Sequence, residues 1–193
     1  MAHAEEPIDN SSSRELAPGE LATLQLFVNT LDQEDGVELL RTPADLRRWL
    51  AHHDLAAPST RVGEPELRRA LEVREAFRAV LHANNGAPVN QAAIDTLDAA
   101  ARAAELTVRW DGRGHADLVP ARRGFEGAIG TLLAIVHRAQ VEGTWERLKA
   151  CPEASCGWAF YDRSRNRSST WCSMAVCGNR AKARAFRERR ARR

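Results

Sequence analysis

The four cysteines of this chain lie together near its C-terminal end, as Cys151, Cys156, Cys172 and Cys177, in the spacing C-x4-C-x15-C-x4-C. Two close pairs separated by a longer loop can fold back on each other and offer four soft thiolates at the corners of a tetrahedron, which is what zinc takes in closed structural sites. A four-cysteine set leaves no coordination position for water, so the spacing points to one structural Zn2+ ion. The competing readings are unrelated buried thiols, a redox pair or disulfides. Disulfides suit an oxidising compartment, whereas the start of the chain, MAHAEEPIDNSSSREL, has neither the basic start nor the apolar stretch of a signal peptide. A module of forty-odd residues buries little surface, and structural zinc can contribute on the order of 10 kcal/mol to its folding.

The charge is as unevenly placed as the cysteines. From Arg147 to Arg193 there are 13 Lys/Arg and 3 Asp/Glu, a net +10; the remainder holds 15 against 23, a net −8. Such a split predicts two modules with different partners, the basic one seeking phosphates or an acidic protein surface. With 193 residues and 44% hydrophobic content, the chain can build one core of roughly 130–150 residues plus a small appended module. No run of about 18 apolar residues is present, so no membrane-spanning helix is expected. The chain reads as cytoplasmic, and its Ala/Arg-rich composition as bacterial.

Along the chain, residues 1–17 are polar and read as a disordered leader. Leu21, Leu24, Phe27, Val28 and Leu31 recur at helical spacing, which predicts a helix over 18–31. Residues 32–40 read as a loop turning at Gly36. Thr42-Pro43 opens a second helix bearing Leu46, Trp49 and Leu50 on one face. A third helix is expected over 64–83, with Pro65 in its first turn and Leu67, Leu71, Val73, Phe77, Val80 and Leu81 as its apolar stripe. Asn90 caps a fourth helix to residue 104. Leu106–Trp110 and His115–Val119 flank an Asp111-Gly112 turn and predict a hairpin. A fifth helix is expected over 125–140. Beyond Arg147, Trp158 to Tyr161 suggests a strand, residues 162–169 a polar turn, and a final basic helix is expected from about Ala175.

The run Leu148-Lys-Ala-Cys151-Pro, then Cys156-Gly-Trp158-Ala-Phe160-Tyr161-Asp162, and Trp171-Cys172-Ser-Met174-Ala-Val-Cys177-Gly178-Asn179-Arg180-Ala-Lys182-Ala-Arg184 resembles the CGNR zinc finger, a family named for its Cys-Gly-Asn-Arg tetrad. Leu26-Phe27-Val28-Asn29-Thr30 resembles the opening motif of the helical ABATE domain that precedes such fingers. The resemblance implies a mainly α fold: a leader over 1–17, a helical domain with a small β-hairpin over 18–143, and over 144–193 a small treble-clef-like finger ending in a basic helix. It also implies a stress-related bacterial transcription regulator, with the four cysteines as zinc ligands, DNA as partner of the finger, and a small ligand sensed by the N-terminal domain. The chain departs from the family where relatives carry basic residues just before the Trp-Cys pair. Here that place holds Ser168-Ser169-Thr170, with Arg165 and Arg167 slightly earlier.

The candidate nucleic-acid contacts are therefore Arg163, Arg165, Arg167, Asn179, Arg180, Lys182, Arg184 and Arg187. Arg180 has a second reading, as a support for the zinc site, and Asn179 one as turn chemistry. Trp158, Phe160 and Trp171 suit the finger's small core better than base stacking. Asn29 and Arg74 are the candidate ligand contacts, though each also reads as a structural satisfier of buried backbone. The chain lacks phosphate-loop, H-E-x-x-H and zinc-deaminase signatures, so it does not read as an enzyme. The alternative to a regulator is an adaptor whose finger docks on an acidic partner; an N-terminal enzyme localised by the tail is a more distant one. A homodimer is compatible with the sequence, but no residue marks its face.

Overall fold

The computed structural model describes residues 15–191, so most of the expected leader lies outside the described residues. Of its last residues, Ala17 is buried and its N–H donates to Gln25 Oε1 at 2.7 Å. The chain is about half helical with small hairpins, as the sequence predicts. Its elements are helix α1 (Leu21–Val28), the two-residue strands β1 (Leu31–Asp32) and β2 (Val37–Glu38), α2 (Pro43–His52), α3 (Glu64–Asn84) and α4 (Gln91–Ala103). The hairpin β3 (Leu106–Trp110) and β4 (Ala116–Pro120) follows, then α5 (Gly124–Val141), β5 (Leu148–Ala150), β6 (Ala159–Tyr161) and α6 (Asn179–Ala191).

The local signals work as their chemistry dictates. Thr42 Oγ1 accepts from Asp45 N while Asp45 Oδ2 accepts from Thr42 N, a reciprocal capping box ahead of Pro43. Asn90 Oδ1 accepts from Ala93 N and starts α4. Helix α1 is shorter than its periodicity predicts. The Thr30 hydroxyl donates to Phe27 O at 2.8 Å, and Leu31 leaves the helix to pair with Glu38. The expected loop over 32–40 is accordingly a tight hairpin, turned at Gly36 with φ of 66°.

Leu24, Phe27, Leu46, Leu50, Phe77, Leu81, Ile129 and Leu132 are at most 1% exposed and form the main core. That core does not stop at the N-terminal helices. Leu148, Ala150 and Ala159 belong to it, while Cys151, Cys156, Trp158, Phe160 and Cys177 make a second cluster with Trp171 and Cys172. The antiparallel pairing explains the split: Leu148 faces Tyr161 and Ala150 faces Ala159 on one side of the β5–β6 hairpin, while Lys149 faces Phe160 on the other. With side chains alternating at period two, one short hairpin serves two cores. The finger is thus a treble-clef-like unit of hairpin, cysteine knuckle and helix, with one hairpin face pressed on the helical domain. Burying Leu148 alone is worth about 1.5–3 kcal/mol.

Candidate metal centre and nucleic-acid interface

The first cysteine pair sits on a tight turn between β5 and β6. Cys151 N donates to Trp158 O at 2.9 Å, and Cys156 N and Gly157 N both donate to Glu153 O, at 2.8 and 3.3 Å. Gly157 takes φ of 54°, and a Cβ on it would lie 2.5 Å from Gln33 Oε1. The positive φ is what favours glycine here, and a larger residue would in addition have to push aside the flexible Gln33 side chain of the N-terminal hairpin. The second pair lies at the entry to α6, through a wide turn over Met174–Gly178 that Ser173 opens by accepting from Val176 N.

These turns bring the Sγ atoms of all four cysteines within 4.8 Å of one another. Cys156 and Cys172 are 3.5 Å apart, and Cys172 and Cys177 3.7 Å. Zinc–sulfur bonds of about 2.3 Å in a tetrahedron put neighbouring sulfurs about 3.8 Å apart, so both the donor set and its spacing fit zinc. The sulfurs behave as one electrostatic unit. Hydrogen bonds from Cys156 and Cys172 hold the Cys151 thiol well below the usual range, hydrogen bonding to Cys151 raises Cys156 and Cys172, and burial raises Cys177. A divalent cation ends that competition by letting all four carry thiolate charge.

The polar turn over 162–169 is organised from inside. Lys149 Nζ donates to Asp162 Oδ2 and Arg167 O, each at 2.7 Å, and to Ser169 O at 3.0 Å. The Asp162 side chain is fully buried. Burial pushes its carboxyl up, but hydrogen bonds from Lys149 and Ser164 outweigh this and leave it well below the ordinary carboxylate range. The Ser168 to Thr170 stretch serves this packing: Ser169 N donates to Asp162 Oδ2, and Thr170 O accepts from Asn85 Nδ2 at 2.7 Å.

A polar seam fastens the finger to the helical domain. Asn29 grips the backbone of Ala159 with both ends of its amide: Nδ2 donates to Ala159 O at 2.9 Å and Oδ1 accepts from Ala159 N at 2.8 Å. Gln25 adds a bond to the same carbonyl at 3.2 Å. Arg78, from α3, donates to Gly157 O at 2.6 Å in the knuckle and to Val28 O at 2.8 Å. Asn84 donates to Trp145 O and Leu148 O, and Asn85 to Ala150 O. Arg74 pairs with Glu38 at 2.8 Å and Glu75 at 2.9 Å and donates to Thr30 Oγ1.

Asn29 and Arg74, the expected ligand contacts, are therefore both engaged by the protein itself. A groove of about 650 Å³ lies elsewhere, between α3 and α4, with Arg68, Arg69, Glu72, Asp95 and Thr96 in its lining. The sequence reading missed Arg78, Gln25, Asn84 and Asn85. A signal for Arg78 was present: it follows Arg74 by one helical turn on a stripe that is otherwise apolar, and two cations at that spacing on a buried face demand partners.

The expected nucleic-acid contacts divide sharply. Arg163 pairs with Glu15 at 2.6 Å and donates to Leu16 O; Arg167 pairs with Glu146 at 2.9 Å. Arg180 reaches Glu34 on the β1–β2 turn at 2.6 Å. Arg184 makes a two-pronged bond to Glu153 at 2.9 and 2.8 Å, tying α6 to the knuckle and holding the Glu153 carboxyl below its usual range. Asn179 Nδ2 donates back to Ala175 O. Arg165, Lys182 and Arg187 are exposed and form no ion pair among the described residues. On α6 each residue turns about 100°, so Arg180 and Arg184 share one face with the half-buried Ala181 and Ala185, while Lys182, Phe186, Arg189 and Arg190 share the opposite, exposed one.

Two family models match. The one described as "Putative stress-induced transcription regulator", ABATE, covers residues 22–144, and the CGNR zinc finger covers 147–190. A search of curated proteins gave no match. With the ABATE match spanning well over half of its length, and the four cysteines clustered in the finger that follows, the chain belongs to the ABATE family and ends in a CGNR zinc finger.

Proposed function

We propose that this chain is a DNA-binding transcription regulator in which one structural zinc ion sets the finger and the exposed face of α6 meets the duplex. The observation that carries the reading is the division of α6. Arg180 and Arg184, themselves about half exposed, are paired with Glu34 and Glu153, while Lys182, Arg189 and Arg190 lie on the opposite face of the helix and form no ion pair among the described residues. A helix fits the major groove, where lysines and arginines neutralise phosphates and set position. Zinc held by Cys151, Cys156, Cys172 and Cys177 would serve as a scaffold that joins the knuckle to the start of α6 and so fixes which way that face looks. The role is binding, not catalysis.

The helical domain is the candidate sensor. The α3–α4 groove is polar and mixed in charge, and α3 also carries Arg78 into the knuckle. A small molecule bound there acts on the same helix that braces the finger. A homodimer would double the short footprint of one finger.

The test is binding of the zinc-loaded protein to DNA from its own promoter region, against random competitor, across a salt series. The expected result is a preference for the promoter and a log–log salt slope of about −3 to −4, from three to four neutralised phosphates. No binding at low salt overturns the reading, and binding without preference favours an adaptor that docks its basic face on an acidic protein.

A further inference from the structure

Phe186 stands outside the protein's buried cores. It is 55% exposed, it lies in neither buried cluster, and α6 contains no buried residue. The helix is fastened on its other side, by Ala181, Ala185 and the Arg184–Glu153 pair. Helical spacing surrounds Phe186 with positive charge: Lys182 is one turn before it, and Arg189 and Arg190 are one turn after. An aromatic ring standing in water within a ring of cations is poor for a surface that needs only solubility, since cations alone supply that. It suits a surface that closes on a polyanion whose interior offers apolar groups.

We propose that Phe186 is a base-reading residue of this face, making apolar contact with the C5-methyl group of thymine in the major groove while Lys182, Arg189 and Arg190 hold the flanking phosphates. The proposal rests on the DNA-binding reading above and adds a residue and a base to it. In the major groove thymine is marked by that methyl group, and an apolar side chain is its natural partner. The cations set position and carry no sequence information; Phe186 supplies discrimination.

The experiment uses the full zinc-loaded chain, a mixed-sequence 30-base-pair duplex, and the same duplex with deoxyuridine in place of every thymine. Burying one methyl group is worth about 0.8 kcal/mol, or about fourfold in affinity. Wild-type protein is expected to bind the thymine duplex at least about fourfold more tightly than the uracil one. Phe186→Ala is expected to bind both equally, with its salt slope and zinc content unchanged, and Phe186→Leu to recover most of the thymine preference. A preference that persists in Phe186→Ala, or none in the wild type, overturns this inference while leaving the DNA-binding reading intact. Failure of the wild type to bind either duplex at low salt overturns the DNA-binding reading, and this inference with it.

Discussion

Replacing Arg78 with alanine is expected to lower the unfolding free energy of the zinc-loaded protein by about 3–5 kcal/mol. The guanidinium is buried, and its bonds to Gly157 O at 2.6 Å and Val28 O at 2.8 Å, with a weaker one to Leu31 O at 3.4 Å, join the cysteine knuckle, α1 and the first hairpin. Each buried acceptor left without a donor costs about 1–3 kcal/mol, and Glu75, which bridges Arg78 and Arg74, loses one of its two cations. Arg78→Lys keeps the charge but not the planar fork that serves several carbonyls at once, so it is expected to recover only part of the loss. Denaturant unfolding followed by far-ultraviolet circular dichroism checks this. A loss below about 1 kcal/mol in Arg78→Ala would mean that the seam contributes little to holding the finger.

Removing a zinc ligand is expected to have the larger effect. Cys177→Ser takes away a buried sulfur at the entry to α6 and with it most of the metal affinity, in a site of the kind that stabilises small modules by about 10 kcal/mol. In an independent finger the damage would stay local. Here Leu148, Ala150 and Ala159 sit in the main core, and the backbone of Ala159 is the partner of Asn29 and Gln25. The loss therefore spreads into the helical domain. Cys177→Ser is expected to melt at least 10 °C below the wild type, since each kcal/mol shifts a domain of this size by about 2–4 °C. Differential scanning calorimetry beside a zinc assay measures both effects. A separate, unshifted transition for the helical domain would show that the finger folds alone.

Much of this arrangement is written in local chemistry. The cysteine spacing identifies the metal centre because four ligands in two pairs have few other uses. Thr42-Pro43, Pro65 and Asn90 mark helix starts because capping is decided within one turn. What the sequence does not reveal depends on partners far along the chain. The strands β1, β2 and β5 have two or three residues each, too few for a period-two pattern. Asn29 reads from sequence either as a ligand contact or as a structural tie, and its partner is identified only when the strand bearing Ala159, 130 residues later, closes on it. Arg180 and Arg184 resemble Lys182 as letters on a basic helix. Only the positions of Glu34 and Glu153 separate them, and those are set by a hairpin turn and a cysteine knuckle that the helix sequence knows nothing about.

The division of α6 into a face paired with Glu34 and Glu153 and an unpaired basic face is tested most directly by the salt dependence of DNA binding. Two variants are compared with the wild type on one duplex: Arg180→Ala, and the triple variant Lys182→Ala, Arg189→Ala, Arg190→Ala. Each neutralised phosphate contributes about 0.9 to the log–log slope. The triple variant is expected to flatten the slope by about 2 to 3, and Arg180→Ala to leave it unchanged. An equal flattening in Arg180→Ala, or an unchanged slope in the triple variant, would contradict the account.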